Sequence, residues 1–317
     1  MRESTFSFWQ DAEFNALADK PLTVEDDAYH PPREGETLQE NWIFEVLTPD
    51  QLYLRIVFTL SNMPLSSQAY YNLAWWVEGE KNEESVEVKA QDLAASTERC
   101  QLKLGRSWVE YNGEKYYLHL EASGAAGDLE FFPLAAGWQP GIGRIAYGDQ
   151  GLRCIYWQIP LPRATAQGEV NLGGKKYNVE GIGYHEHRRW NFPLPEALKG
   201  ARLVRFYSEE YTLLAADFWG KLLYSHRHIP ALYLAQGTEV KVSTPKVESN
   251  VEVSSGSTFL ELRSGSDPKV TLKLTTAPLI KGKGGFRIER GPGLLRLATT
   301  PEKENPGWGV LETFLIG

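Results

Sequence analysis

The chain has 317 residues, 42% of them hydrophobic and 23% charged, which is ordinary for a globular protein and long enough for two domains of about 150 residues each. Acidic residues outnumber basic ones 41 to 33, a net charge of -8, which disfavours broad binding to a phosphate backbone because that affinity rests on clustered Lys and Arg. No run of 18 apolar residues exists to form a spanning helix, and the two cysteines, Cys100 and Cys154, contain no CxxC pair and cannot build a disulfide framework.

The N-terminus, MRESTFSFWQDAEF, is too polar for the apolar stretch of a signal peptide, so a cytoplasmic address is expected. Residues 11–18 suit two turns of helix with Asp11 as the cap. Strand signals then dominate. Leu52, Leu54, Ile56, Phe58 and Leu60 alternate with Tyr53, Arg55, Val57 and Thr59, so period two places the first set on one face. Tyr70, Tyr71, Trp75 and Trp76 lie on one strand, Tyr71 sharing a face with Trp75. Tyr116, Leu118 and Leu120 alternate likewise, and so do Val270, Leu272 and Leu274. Shorter runs cover roughly 42–47, 84–90, 128–134, 153–159, 201–207, 211–219, 231–235 and 257–263. Asn112-Gly113, Gly173-Gly174 and Ser264-Gly265 mark turns between strands. The only later helical signal is a turn or two over 194–199, stopped by Gly200. Many short strands without a βαβ crossover predict an all-β fold of barrels or sandwiches. Pro160 and Pro162, followed by the polar RATAQG, place the expected domain boundary at 162/163.

The densest chemistry lies in Gly181–Trp190. If this segment is extended, His185 and His187 project from one face about 7 Å apart, and Tyr184, Glu186, Arg188 and Trp190 from the other. Histidine titrates near neutrality and serves as acid or base. A second His-x-His, His226 and His228, raises a metal reading, but no HExxH or facial-triad spacing accompanies either pair. Asp217 stands in the apolar run LLAADFWG, where burial would raise its pKa and let it act as a general acid. Aromatic side chains at Trp42, Tyr71, Trp75, Trp157, Trp190, Trp219 and Tyr207 can wall an apolar pocket or stabilise a carbocation, or simply fill the core. No P-loop, dinucleotide fingerprint or nucleophile elbow is present.

The stretch from Trp157 to Trp190 resembles the signature of the carotenoid hydratase (hydroxyneurosporene synthase) and AttH-like group, Gly-x-Gly-Tyr-His-Asp-His-Asn-Trp-Gly, with Gly168–Gly174 as its lead-in. Glu40-Asn41-Trp42-Ile43-Phe44 resembles the group's opening strand, and Trp138-Gln139-Pro140 also fits. The resemblance implies two lipocalin-like antiparallel β-barrels packed together, residues 1–162 and 163–317, with a ligand cavity near their junction. It implies hydratases of acyclic carotenoids, cofactor-free natural-product cyclases including Diels–Alderases, and lipid-linked relatives. On this pattern His185, His187 and Trp190 fall on the signature and Asp217 on a downstream acid. The sequence departs from the group in Glu186, in Ala215 where a tyrosine is usual, and in Arg188-Arg189, which displaces the tryptophan by one.

The expected function is a cyclase or hydratase needing no cofactor or metal. It would act on a hydrophobic polyene, isoprenoid or polyketide, with Asp217 as acid and His185 or His187 as base. Tyr184, Glu186, Trp190, Trp219, Trp157, Tyr71, Trp75, Trp42 and Tyr207 would line the substrate. The rival is a non-catalytic carrier of a hydrophobic ligand. Neither reading needs nucleic acid or an obligate protein partner, and contact of a rim with a membrane surface stays open.

Overall fold

A computed structural model of the chain describes residues 20–316 apart from 51, 64–67, 78, 148–151, 225, 255, 283–284 and 301. The helix expected over 11–18 lies outside the described residues. The strands, in chain order, are β1 (Gln39–Leu47), β2 (Tyr53–Ser61), β3 (Gln68–Val77), β4 (Glu80–Val88), β5 (Leu93–Ala95), β6 (Gln101–Leu104), β7 (Ser107–Tyr111), β8 (Tyr116–Glu121), β9 (Ala125–Pro133), β10 (Arg144–Tyr147), β11 (Arg153–Leu172) and β12 (Lys175–Trp190). They continue as β13 (Leu198–Ser208), β14 (Tyr211–Gly220), β15 (His228–Gln236), β16 (Glu239–Thr244), β17 (Val247–Ser254), β18 (Ser257–Ser264), β19 (Val270–Lys281), β20 (Arg287–Leu297) and β21 (Glu304–Leu315). Among the described residues the helical elements are single 3-10 turns such as Glu25–Asp27 and Leu194–Glu196, so the helix expected over 194–199 shrinks to one turn before β13 begins.

The chain forms two compact units. Pro21–Gln139 with Arg153–Phe192 make the N-terminal one; Pro193–Gly317 with Pro140–Leu152 make the other. In the first, antiparallel strands run in the order β4-β3-β2-β1-β12-β11-β9-β8-β7-β6-β5; in the second, β16-β15-β14-β13-β21-β20-β19-β18-β17. One sheet is a nearly closed barrel and the other a half-barrel. The expected division at 162/163 falls inside β11. Proline cannot donate to a ladder, but the strand accommodates Pro160 and Pro162 with register shifts against β12 between Gln158 and Leu161 and between Leu161 and Ala164. Residues 163–192 therefore stay in the first unit as the β11–β12 hairpin. Its turn is Gly173-Gly174, with φ values of +60° and +83°, a conformation that side chains with a Cβ adopt at a cost.

The predicted faces are the observed ones. Leu54, Ile56, Phe58, Tyr71, Leu73, Trp75, Leu118 and Leu120 pack inside the first sheet with Trp42, Phe44 and Phe131. Val204, Phe206, Leu213, Leu232, Leu260, Leu272, Leu274 and Leu295 fill the second. Strands β5, β6, β7, β10, β16, β17, β20 and β21 escape the periodicity reading. β17 is largely exposed and polar, and β20 and β21 are interrupted by Gly and Pro at 291–293 and 306–309.

Gly183 shows why the signature segment carries glycine. It shares the inner face of β12 with His185, and a Cβ there would lie 2.5 Å from Cδ1 of Phe131. Gly183→Ala is expected to destabilise the protein by about 1–3 kcal/mol, the usual cost of overpacking a filled core. Urea denaturation would measure it, and an unchanged midpoint would mean that Phe131 moves aside freely.

Candidate functional site

Strand β12 pairs with β1 in unbroken register from Gln39↔Trp190 to Leu47↔Ile182. His185 and His187 therefore do share one face, the inner one, directly opposite Phe44 and Trp42. Each imidazole stacks on its partner ring: His185 on Phe44 at 3.9 Å and His187 on Trp42 at 4.5 Å between centroids. Both histidines are fully buried.

The 3-10 turn Glu25–Asp27 closes over them. His185 Nδ1 lies 3.0 Å from the Ile43 carbonyl, and its Nε2 faces the Asp27 carboxylate at 3.0 and 3.1 Å. His187 repeats the pattern, with Nδ1 3.0 Å from the Asp26 carbonyl and Nε2 2.9 Å from Glu40 Oε1. A carbonyl only accepts, so Nδ1 carries a proton in both rings. Asp27 also accepts from the Tyr116 hydroxyl at 2.7 Å, while the Trp42 indole N–H donates to its carbonyl at 3.0 Å. Burial would raise the Glu40 carboxyl, but the close imidazoles of His187 and His30 outweigh it and hold the group below its ordinary value. Burial, with Asp27 nearby, pushes the Cys100 thiol well above its ordinary range, so it is no nucleophile. Among the described residues, two trios have metal-ligand reach: Asp27, Cys100 and His185; and His30, Glu40 and His187.

The opposite face of β12 holds a second satisfied cluster. Glu186 is fully buried; its Oε2 accepts from the Trp157 indole at 2.6 Å and the Tyr184 hydroxyl at 2.9 Å, and Arg188 pairs with Oε1. Trp138 packs edge-on against Trp157 at 5.5 Å. Because the β1–β12 register has no bulge, Trp190 falls on this face, away from the histidines. The extra arginine has moved it across the strand, as period two requires.

Asp217 lies in the C-terminal unit, on the inner face of β14 in line with Leu213 and Ala215. Register sets it opposite Arg202 of β13 and Pro230 of β15. Its side chain is 15% exposed. Oδ2 faces His228 Nδ1 at 2.8 Å and accepts from the Trp219 indole at 2.9 Å, whereas the buried Oδ1 has no hydrogen-bond partner. Arg202 lies over the Trp219 ring, 5.1 Å from its centroid. Burial lowers the Arg202 pKa, with Asp217 and Glu289 opposing the shift. Arg202, Asp217 and His228 border a pocket of about 330 Å³ whose wall includes Val204, Ala215, Pro230 and Leu262.

The residues singled out in the sequence thus divide between the two units. Asp217 lines the C-terminal pocket, and Trp219 reaches it through Asp217. His185, His187, Trp42, Tyr71 and Trp75 pack inside the N-terminal sheet, where Tyr71 donates to the Glu121 carbonyl at 2.8 Å. Tyr184, Glu186 and Trp157 form the cluster on the outer face of β12, and Tyr207 is buried next to the inward-facing Phe206. The expectation that Asp217 and the histidine pair border one chamber requires residues from both units. Asp27, His30 and Arg202 escaped the reading. Arg202 carries a signal in hindsight, since it continues the inner-face series of Val204 and Phe206. Asp27 has none, because its partner His185 is 158 residues away.

No family model matches the chain. Among curated proteins, a Diels-Alderase ORF3 from Pyricularia oryzae is 30% identical over 101 residues, which are 32% of this chain and 26% of that one; the match spans about a quarter of that relative. Among solved structures, CghA aligns over 95% of this chain and 96% of its own at a TM-score of 0.62 and 14% identity. An AttH protein from Nitrosomonas europaea covers 93% of this chain and 99% of its own, at 0.63 and 14%. Kievitone hydratase from Nectria haematococca covers 94% and 96%, at 0.61 and 12%. The chain has the fold of these proteins. The AttH-like resemblance read in Gly181–Trp190 is therefore borne out in architecture over nearly the whole chain. Among the described residues no helix is long and apolar enough to cross a membrane.

Proposed function

We propose that the protein is an enzyme that cyclises or hydrates a hydrophobic polyene, isoprenoid or polyketide, with the Asp217–His228 pair as its proton relay. The observation that carries this reading is one pocket wall in the C-terminal unit. On it a carboxylate–imidazole pair, at 2.8 Å, stands beside Val204, Ala215 and Leu262. Its volume of about 330 Å³ is at the lower end for small-molecule sites, roughly 300–1,000 Å³, and suits the reacting part of a chain-like substrate.

With Oδ2 taken up by Trp219 and His228, Asp217 serves best as the group that orients the imidazole. His228, 66% exposed at the side chain, then delivers or removes the proton. This revises the expected division of labour, in which Asp217 itself was the acid. Hydration needs a proton delivered to one alkene carbon and water added at the other, with one proton of that water returned to the imidazole; cyclisation needs only the folded substrate and a polarised carbonyl. Folding a flexible substrate into a reactive pose can supply roughly 7–11 kcal/mol in the best intramolecular cases. His185 and His187, each held between a carbonyl and a carboxylate in the other unit, act in this proposal as the frame of the N-terminal sheet. The Diels-Alderase and the hydratase among the related proteins support a cyclase or hydratase over a carrier.

The test is mass spectrometry of the small molecule that copurifies with the protein, followed by incubation with its linear precursor. The expected product is an isomer of the precursor, or the precursor plus one water. Return of the bound compound unchanged would favour the carrier reading.

A further inference from the structure

The geometry points to a site for a divalent first-row transition metal at His30, Glu40 and His187, in the N-terminal unit and independent of the pocket at Asp217. Glu40 Oε1 lies 2.9 Å from His30 Nδ1 and 2.9 Å from His187 Nε2. Two ligand atoms that far apart subtend roughly 90° at a metal bound at about 2.0–2.2 Å. That angle is a cis angle of octahedral or five-coordinate geometry, and two histidines with one carboxylate on one face form the ligand set of open Fe(II)-type sites.

The surroundings are those of a ligand set. His187 donates Nδ1–H to the Asp26 carbonyl, which leaves Nε2 a lone pair in the neutral ring and fixes the ring's orientation, the usual outer support of a metal-bound histidine. Trp42 stacks on the same ring. The His30 backbone N–H donates to both carboxylate oxygens of Glu40, at 3.2 and 3.3 Å, and orients that group in turn. Nε2 of His187 approaches Glu40 Oε1 to 2.9 Å yet is left without a hydrogen-bond partner.

Glu40 and Asp26 lie near the guanidinium of Arg189, which pairs opposite Glu40 in register and stacks on Tyr156 at 4.0 Å. His30 is 32% exposed at its side chain and gives solvent a way in, with water completing the coordination. The neighbouring trio of Asp27, Cys100 and His185 has no such opening.

Protein stripped with a chelator and desalted would be titrated with Co²⁺, followed by calorimetry and by the ligand-field absorption of the ion. One ion per chain is expected, with bands of a five- or six-coordinate N/O site. His30→Ala, a change at a partly exposed ring that leaves the core intact, should weaken binding more than about 100-fold, beyond the 10–100-fold that loss of an outer partner costs. Glu40→Gln should do the same. His119→Ala removes an exposed histidine paired with Asp128 and should change nothing. The proposal is overturned if Co²⁺ does not bind at one per chain, if binding survives both His30→Ala and Glu40→Gln, or if it is lost in His119→Ala.

Discussion

Asp27→Ala is expected to lower folding stability by about 3–5 kcal/mol, the cost of removing one partner from a buried ionic pair. Asp27 is 3% exposed, and its carboxylate serves His185 Nε2 and the Tyr116 hydroxyl together. Alanine would strand both buried groups. The indole bond of Trp42 goes to the Asp27 carbonyl and survives the change, so the effect reports the side chain. Asp27→Asn refines the result. An asparagine amide can donate to a neutral Nε2 and still accept from Tyr116, so a loss under about 1 kcal/mol would mean an uncharged His185. A loss near that of alanine would mean an imidazolium–carboxylate pair. Chemical denaturation of the three proteins gives the numbers. Should Asp27→Ala unfold within 1 kcal/mol of the parent, the cluster would not be what pins the turn at 25–27 over the sheet.

Asp217→Asn is expected to reduce turnover by about 10²–10⁴-fold, the range a positioned proton-transfer group contributes. Asparagine keeps the shape and can still accept from the Trp219 indole. What it loses is the charge that orients His228. With the side chain 15% exposed and no ion pair to a fully buried partner, stability should change little, and KM should hold because the apolar wall is untouched. Trp219→Phe deletes one donor to the same oxygen and should cost less. Full turnover by Asp217→Asn on the substrate identified from the copurifying ligand would remove the pair as the proton relay. Shape and aromatic packing would then have to carry the reaction alone.

The two sites show how far local pattern reaches. Alternation along Leu52–Leu60 and Tyr116–Leu120 placed the right side chains inward because strand period is a property of neighbouring residues. The same rule put His185 and His187 on one face and predicted that the doubled arginine would swing Trp190 to the other. It failed at Pro160 and Pro162: whether a proline ends a strand or sits at a register shift depends on the partner strand, and β12 supplies the shift.

From its sequence alone this protein is determined to be all-β, to turn at Gly173-Gly174, and to carry a histidine pair on one strand face and an acid in an apolar strand. These follow from dihedral preference and side-chain period, which act over a few residues. Only the tertiary structure decides that Asp27 and Glu40 meet the histidines, that Arg202 and His228 flank Asp217, and that the acid and the pair belong to different units. Those meetings join residues up to 158 positions apart, through strand order and register that many long-range contacts set together.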